Sequence, residues 1–246
     1  MNYQYKKYIP SGNLTALVIG IPKSKNERII INNKIIKKEQ VKQVGFISPD
    51  INNPQLIMAG GEFCGNATRS AINYYLNNKP GNIRIKVSSV PQKILGGIDK
   101  KCQTWVEMPV YKRNFIKKIN NSIAIVRLYG ITHLIISSSK ISKEKAYNLL
   151  KKYNLLNEKS AGVIFYQKLN KNYYKITPIV FVKSVNTFFC ETACGSGSAA
   201  LGIYINYKNN SISKISIIQP SNMIIDVFST IKKDKIEKVI ISGQVF

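Results

Sequence analysis

Short runs rich in β-branched residues, bounded by turn residues, dominate the chain and predict strands. They lie at Leu14 to Ile21, Gln43 to Ile47, Ile83 to Val87, Val106 to Met108, Ser122 to Tyr129, His133 to Ser137, Gly162 to Gln167, Tyr173 to Val182, Ile215 to Ile218 and Lys238 to Ile241. Helical spacing is rarer. Ala67, Ala71, Tyr74 and Tyr75 recur on one helical face, and Ala199, Ala200, Ile203 and Tyr204 on another, while KEKAYNLLKKY from Lys143 to Tyr153 reads as a surface helix.

The two apolar helical patterns belong to an internal repeat, Leu56 to Ser89 and Val185 to Pro220. Each copy has an apolar or β-prone lead-in and an acid shortly before Cys-Gly-(Asn/Ser). Small residues, the helix, an Asn-rich turn and a strand follow. The expected fold is α+β, with two similar lobes that each wrap a β-rich sheet around a central helix. The active site is expected between the lobes. The division falls near Tyr111 to Asn120, giving 1–115 around Cys64 and 116–246 around Cys194, and the last strand is free to return to the first lobe.

Composition adds a formal net charge of +25 in 246 residues, which raises nucleic acid or an anionic membrane as partners. The charge is almost all lysine. The arginines are Arg28, Arg69, Arg84, Arg113 and Arg127, and no motif gathers them with aromatics, so no nucleic acid is expected. KNERIIINNKIIKKEQ reads as compositional drift over a solvated surface. No stretch resembles a signal peptide or approaches the roughly 20 apolar residues of a membrane span, so a cytoplasmic location without membrane contact is expected.

The cysteines are Cys64, Cys102, Cys190 and Cys194. A cytoplasmic chain of this size keeps its thiols reduced. With a single histidine, His133, and no Cys-x-x-Cys pair, no metal site is expected. Cys102 and Cys190 read as small buried hydrophobes. Cys64 and Cys194 differ, because both precede a helix start through Gly65-Asn66 and Gly195-Ser196-Gly197. Unpaired backbone N–H groups there favour a thiolate and hold a carboxylate. Two such thiols on opposite faces of an amino-acid Cα suffice for removing a proton from one side and returning one from the other, without a cofactor. As charge spreads onto the carboxylate, each fixed amide donor contributes about 3 to 4 kcal/mol by analogy with acyl transfer.

At these residues the chain resembles the diaminopimelate-epimerase-fold family, whose catalytic cysteines lie in motifs like CGNxxR and ACGSG. Here the motifs read Cys64-Gly65-Asn66-Ala67-Thr68-Arg69 and Ala193-Cys194-Gly195-Ser196-Gly197, and Pro10-Ser11-Gly12-Asn13 matches the family's glycine-asparagine turn. The resemblance implies that Cys64 and Cys194 are the acid/base pair and that the amides of Gly65, Asn66, Gly195 and Ser196 bind the α-carboxylate. It implies further that Asn13 positions the amino end, that His133 is near the site, and that neither PLP nor metal takes part. The expected partners are an amino-acid substrate and, at most, a second copy of the chain in a homodimer.

The distal clamp of diaminopimelate epimerases has no counterpart. Val185 and Asn186 stand where that family has Glu-Arg, and Ile57, Ile131 and Ser160 lie near the positions of its other distal contacts. A bound distal carboxylate would be poorly compensated. The chain is more similar to the histidine racemases of staphylopine-type metallophore pathways, through Gln43-Val44-Gly45-Phe46-Ile47, Glu62-Phe63-Cys64-Gly65-Asn66-Ala67-Thr68 and Gly243-Gln244-Val245. Lys42 departs from that pattern, occupying a position expected to be acidic and near the substrate side chain. A racemase of histidine or a similar-sized amino acid is the leading expectation. Diaminopimelate epimerase and a non-catalytic basic binding protein are the alternatives.

Overall fold

Short apolar runs rich in β-branched residues set the strands, several of them buried on both faces, and serine caps help set the outer helices. A computed structural model describes residues 3–209, 213–232 and 235–246. In chain order the first half contains β1 (Tyr5–Tyr8), β2 (Thr15–Ile19), α1 (Lys25–Glu39), β3 (Gln43–Ile47), β4 (Gln55–Met58), α2 (Gly65–Leu76), β5 (Gly81–Val87), β6 (Ile94–Ile98) and β7 (Thr104–Glu107). The second half contains β8 (Ile116–Lys118), β9 (Ile123–Leu128), β10 (Ile131–Ser137), α3 (Lys143–Lys152), β11 (Ser160–Lys168), β12 (Tyr173–Val182) and β13 (Thr187–Cys190). It continues with α4 (Gly195–Asn209), β14 (Ser213–Ile218), β15 (Ile224–Lys232) and β16 (Lys235–Gly243).

The fold is α+β and strand-rich. Its hydrogen-bonded path runs β1-β2-β3-β4-β5-β6-β7-β16-β15-β14-β12-β11-β10-β9-β8, with β13 attached to β12. The halves repeat one pairing pattern. β2 and β3 are parallel around α1, as β10 and β11 are around α3. β4 and β5 are parallel around α2, as β12 and β14 are around α4. The ladders β1-β2, β3-β4, β5-β6 and β6-β7 are antiparallel, and so are their counterparts β9-β10, β11-β12, β14-β15 and β15-β16.

β16 pairs antiparallel with β7, and beyond it the amide of Ser11 donates to the Gln244 carbonyl while that of Ile9 donates to the Phe246 carbonyl. The end of the chain therefore returns to the first half.

α2 is buried from Gly65 to Asn73 and α4 from Gly195 to Asn206. A helix surrounded on all sides needs apolar or small residues all round. Alanines and glycines meet that need and let strands approach closely. One apolar cluster joins the surroundings of both helices, including Ile72, Ile85, Val106, Leu201, Val227 and Ile241. Each half adds a smaller cluster beneath its outer helix, with Ile31 and Ile35 under α1 and Ala146 and Leu150 under α3.

Two expectations need correction. KNERIIINNKIIKKE is not a featureless solvated run but α1. Ser24 caps it by accepting from the Asn26 amide, Glu27 sits in its first turn, and Ile31 and Ile35 bury a narrow stripe. The lysines that hide the pattern lie on its outer side. Cys102 and Cys190 are exposed, not packed. Cys102 occupies a left-handed turn with φ of 58°, and Cys190 ends the attached strand β13.

Candidate active site

The two buried helices meet end to end. Cys64 is the N-cap of α2, extended at φ −131° and ψ 111°, and its Sγ accepts from the Ala67 amide at 3.4 Å. In the same way Cys194 Sγ accepts from the Gly197 amide at 3.3 Å, at the start of α4. Between them Gly65 and Gly195 abut so closely that a β-carbon on Gly65 would lie 3.6 Å from the Gly195 backbone. The Asn66 side chain crosses the junction and donates from Nδ2 to the Ala193 carbonyl at 2.9 Å.

A cavity opens at this junction, lined by both cysteines and by Gly65, Asn66, Gly195 and Ser196. Its volume is about 50 Å³, several times what one water requires. Lys42 also lines it, with Nζ 5.4 Å from the centre of the Phe189 ring.

Asn13, His133 and Asn186 do not line the cavity: the first two are buried behind its wall and Asn186 is exposed. Asn13 is fully buried, donates from Nδ2 to Glu191 Oε2 at 2.7 Å and accepts from Thr192 Oγ1 at 3.1 Å, so it fixes a cavity-lining acid. His133, also fully buried on β10, has Nε2 2.9 Å from Ser196 Oγ. Asn186 forms the left-handed turn between the lining residues Val185 and Thr187. Of the distal-clamp positions, Ile131, Ser160 and Val185 reach the cavity.

The acid ahead of each cysteine, a repeated feature that spacing alone does not assign to the site, belongs to it. Glu62 and Glu191 both line the cavity, and burial pushes each carboxyl up to about 7. Glu62 Oε2 is enclosed and has no hydrogen-bond partner among the described residues. Gln43 Oε1 accepts from the Cys64 thiol at 3.1 Å, and Asn32 of α1 lines the cavity as well. The repeated acid was the available signal for the glutamates. Asn32 carries no such signal, because the helical period of α1 is blurred in the sequence.

The electrostatics also differ from expectation. Helix-start amides were expected to lower both thiol pKa values, and the amides of Ala67 and Gly197 do act in that direction. Burial acts more strongly. It raises Cys194 to about 11, and raises Cys64 further, with Glu62, Glu191 and Cys194 adding to the rise at Cys64. The thiols are thus unequal. Cys64 donates to Gln43, whereas Cys194 accepts from Gly197 and faces the Ser196 hydroxyl at 3.5 Å. Burial pushes His133 down to about 3, which keeps its imidazole neutral.

No described helix is long and apolar enough to cross a membrane. Among the described residues, no group of three or more His, Cys, Asp or Glu is placed to hold a metal ion.

Residues 2–246 match the family model described as the histidine racemase CntK N-terminal domain. The chain is 28% identical over 243 residues to a histidine racemase of Staphylococcus aureus (strain Mu50 / ATCC 700699), covering 90% of this chain and 87% of that protein. It is 30% identical over 235 residues to a histidine racemase of Fusobacterium nucleatum subsp. nucleatum (strain ATCC 25586), covering 87% of this chain and 84% of that one. Among solved structures, a hydroxyproline epimerase from Agrobacterium vitis with bound trans-4-hydroxy-L-proline superposes with a TM-score of 0.62. The two are 10% identical, and the match covers 99% of this chain and 90% of that one.

Proposed function

The chain belongs to the histidine racemase CntK N-terminal domain family, and from that premise we propose that it interconverts L- and D-histidine with Cys64 and Cys194 as two opposing acid/base groups. The observation that carries this reading is the pair of cysteine-capped helix starts opening into one cavity. The repeated strand pairing supports a two-lobed arrangement of the diaminopimelate-epimerase type, one lobe around each cysteine. In that arrangement the last strand and tail cross back to the first lobe.

In each direction one cysteine, as thiolate, takes the Cα proton and becomes a thiol. The other thiol delivers a proton to the opposite face and becomes the thiolate, so protons and charge balance. The α-carboxylate, held by the amides of Gly65, Asn66, Gly195 and Ser196, takes up the charge leaving Cα. Burial favours the protonated form of both thiols, so the substrate must supply the cation that favours a thiolate. The α-ammonium does this beside Glu191, which Asn13 holds in place.

Glu62, enclosed and unpaired at Oε2, is assigned to the imidazole N–H. It supplies an acidic partner where Lys42 does not. The proposed setting is the cytoplasm, with D-histidine supplied to opine-type metallophore synthesis.

The test is incubation of the purified chain with single L-amino acids in D2O, with the Cα proton followed by NMR and the products by chiral chromatography. Histidine should lose its Cα proton signal and yield the D-isomer. Exchange confined to another amino acid would overturn the histidine assignment. No exchange with any amino acid, diaminopimelate included, would overturn the racemase reading.

A further inference from the structure

Arg69 lies on α2, one turn beyond the Cys64 cap, and is completely buried. Arginine is almost never buried in full without a charged partner, yet Arg69 makes no ion pair with a carboxylate among the described residues. Its guanidinium instead reaches two neutral oxygens. Nη1 and Nη2 donate to Ser11 Oγ at 3.2 and 3.1 Å, and Nη2 donates to Asn66 Oδ1 at 3.0 Å, while Nε has no partner among the described residues. Gly243 closes over it, since a β-carbon there would lie 2.8 Å from Nη1.

Asn66 has two chemically different side-chain ends, and only one orientation fits this arrangement. With Oδ1 occupied by the arginine, Nδ2 must face Ala193, whose carbonyl it meets at 2.9 Å. Ala193 immediately precedes Cys194, and the Cys194 amide is tied on its other side to Gln219 Oε1 at 3.0 Å. A charge-assisted bond in one half of the repeat therefore locks a brace onto the cysteine loop of the other half. Packing alone does not call for a cation here.

We propose that Arg69 is a positioning residue for the two-thiol reaction: by fixing the orientation of Asn66 it holds the Cys194 loop against the Cys64 helix and so sets the spacing of the thiols. The proposal rests on the two-cysteine reading of the site. Loss of Arg69 should consequently be felt at Cys194, which lies in the other half of the chain, and not only at Cys64 on its own helix.

The test is alkylation with iodoacetamide, followed for each cysteine by peptide mass spectrometry, in wild type, Arg69→Met, Arg69→Lys and Asn66→Ala. Cys102 and Cys190, both exposed, serve as internal controls. Arg69→Met and Asn66→Ala should each raise the alkylation rate of Cys194 at least about tenfold with the control rates unchanged. Arg69→Lys, which has the charge but not the fork, should lie between them and wild type.

A rate at Cys194 within about twofold of wild type in folded Arg69→Met, or a change confined to Cys64, would overturn the proposal. If Arg69→Met does not fold, Arg69→Lys decides: a wild-type Cys194 rate beside an elevated rate in Asn66→Ala removes the arginine from the brace. This readout does not need turnover, so it can fail while wild type racemises histidine, or succeed while wild type does not.

Discussion

His133 and Ser196 are joined through Nε2 and Oγ at 2.9 Å, and Ser196 Oγ in turn stands 3.5 Å from Cys194 Sγ. Among the described residues His133 Nδ1 is buried without a partner. A lone pair left unpaired is tolerated better than a buried N–H left unpaired, so the neutral ring carries its proton on Nε2 and donates it to Ser196. That leaves the serine hydroxyl proton to point at the sulfur. The chain of donors is aimed at a Cys194 thiolate.

Ser196→Ala separates this hydroxyl from the Ser196 amide, which the substitution keeps. A hydrogen bond to a charged group contributes roughly 1.5 to 3 kcal/mol, so kcat for racemisation should fall about 10- to 100-fold with KM changed only a few-fold. The pH dependence of Cys194 alkylation should move to higher pH. A wild-type kcat in Ser196→Ala would show that the serine does not serve the thiolate.

The chain has a single histidine, so its titration can be read without assignment ambiguity. Burial lowers His133 to about 3, against an ordinary value of 6.5. Its imidazole signals in a carbon-edited NMR spectrum should therefore stay fixed from pH 8 to pH 5. Below 6.5 the unfolded chain takes up a proton that the folded chain refuses, so the contribution of His133 to stability is lost as pH falls from 6.5 toward 3, opposite in sign to that of the two buried acids above 4.5. His133→Asn should flatten this acid limb of the melting temperature. An imidazole that titrates near 6.5 in the folded protein would contradict the burial seen on β10.

The buried acids act in the opposite direction. Glu62 and Glu191 are raised from 4.5 to about 7, so the folded chain holds protons that the unfolded chain has released between those values. Their contribution to stability is present below 4.5 and is lost as pH rises through 7. The melting temperature of the empty protein should decline from pH 5 to pH 8, and Glu62→Gln should reduce the decline. Histidine, by pairing with the ionised acids, should raise the melting temperature more at pH 8 than at pH 5. The same decline in Glu62→Gln as in wild type would place the titration elsewhere.

The parts of this architecture that repeat were readable in advance. Cys-Gly-polar followed by small residues occurs twice, and α2 and α4 begin at Gly65 and Gly195, immediately after the two cysteines. β3 and β12 also run from Gln43 to Ile47 and from Tyr173 to Val182 as expected. What was hidden had weak contrast. In α1 three consecutive isoleucines and scattered lysines blur the helical period, although Ser24 and Glu27 spelled a capping box. Missing α1 concealed Asn32. The acids preceding the cysteines were visible, but their approach to one cavity depends on contacts between distant segments, such as Asn13 with Glu191. Asn13 and His133 lie close to the site in space but one layer behind its surface, a difference that spacing along the chain does not encode.

The meeting of the helix starts gives a prediction about two glycines that look alike in sequence. Alanine ordinarily favours a helix over glycine by about 1 kcal/mol, so neither substitution should harm the helix itself. At Gly65 a β-carbon would lie 3.1 Å from Ile241 Cδ1, a methyl that can shift, and 3.6 Å from the Gly195 backbone. At Gly195 it would lie 2.8 Å from the same methyl and 3.1 Å from Asn66 Oδ1, which Arg69 holds in place. Gly195→Ala should therefore reduce kcat at least about tenfold more than Gly65→Ala. Adding Ile241→Val to Gly195→Ala removes the methyl conflict and leaves the one with Asn66, so it should recover melting temperature more than activity. Equal losses in the two alanine variants, or full recovery of activity by Ile241→Val, would mean that crowding at Ile241 governs the junction and Asn66 does not.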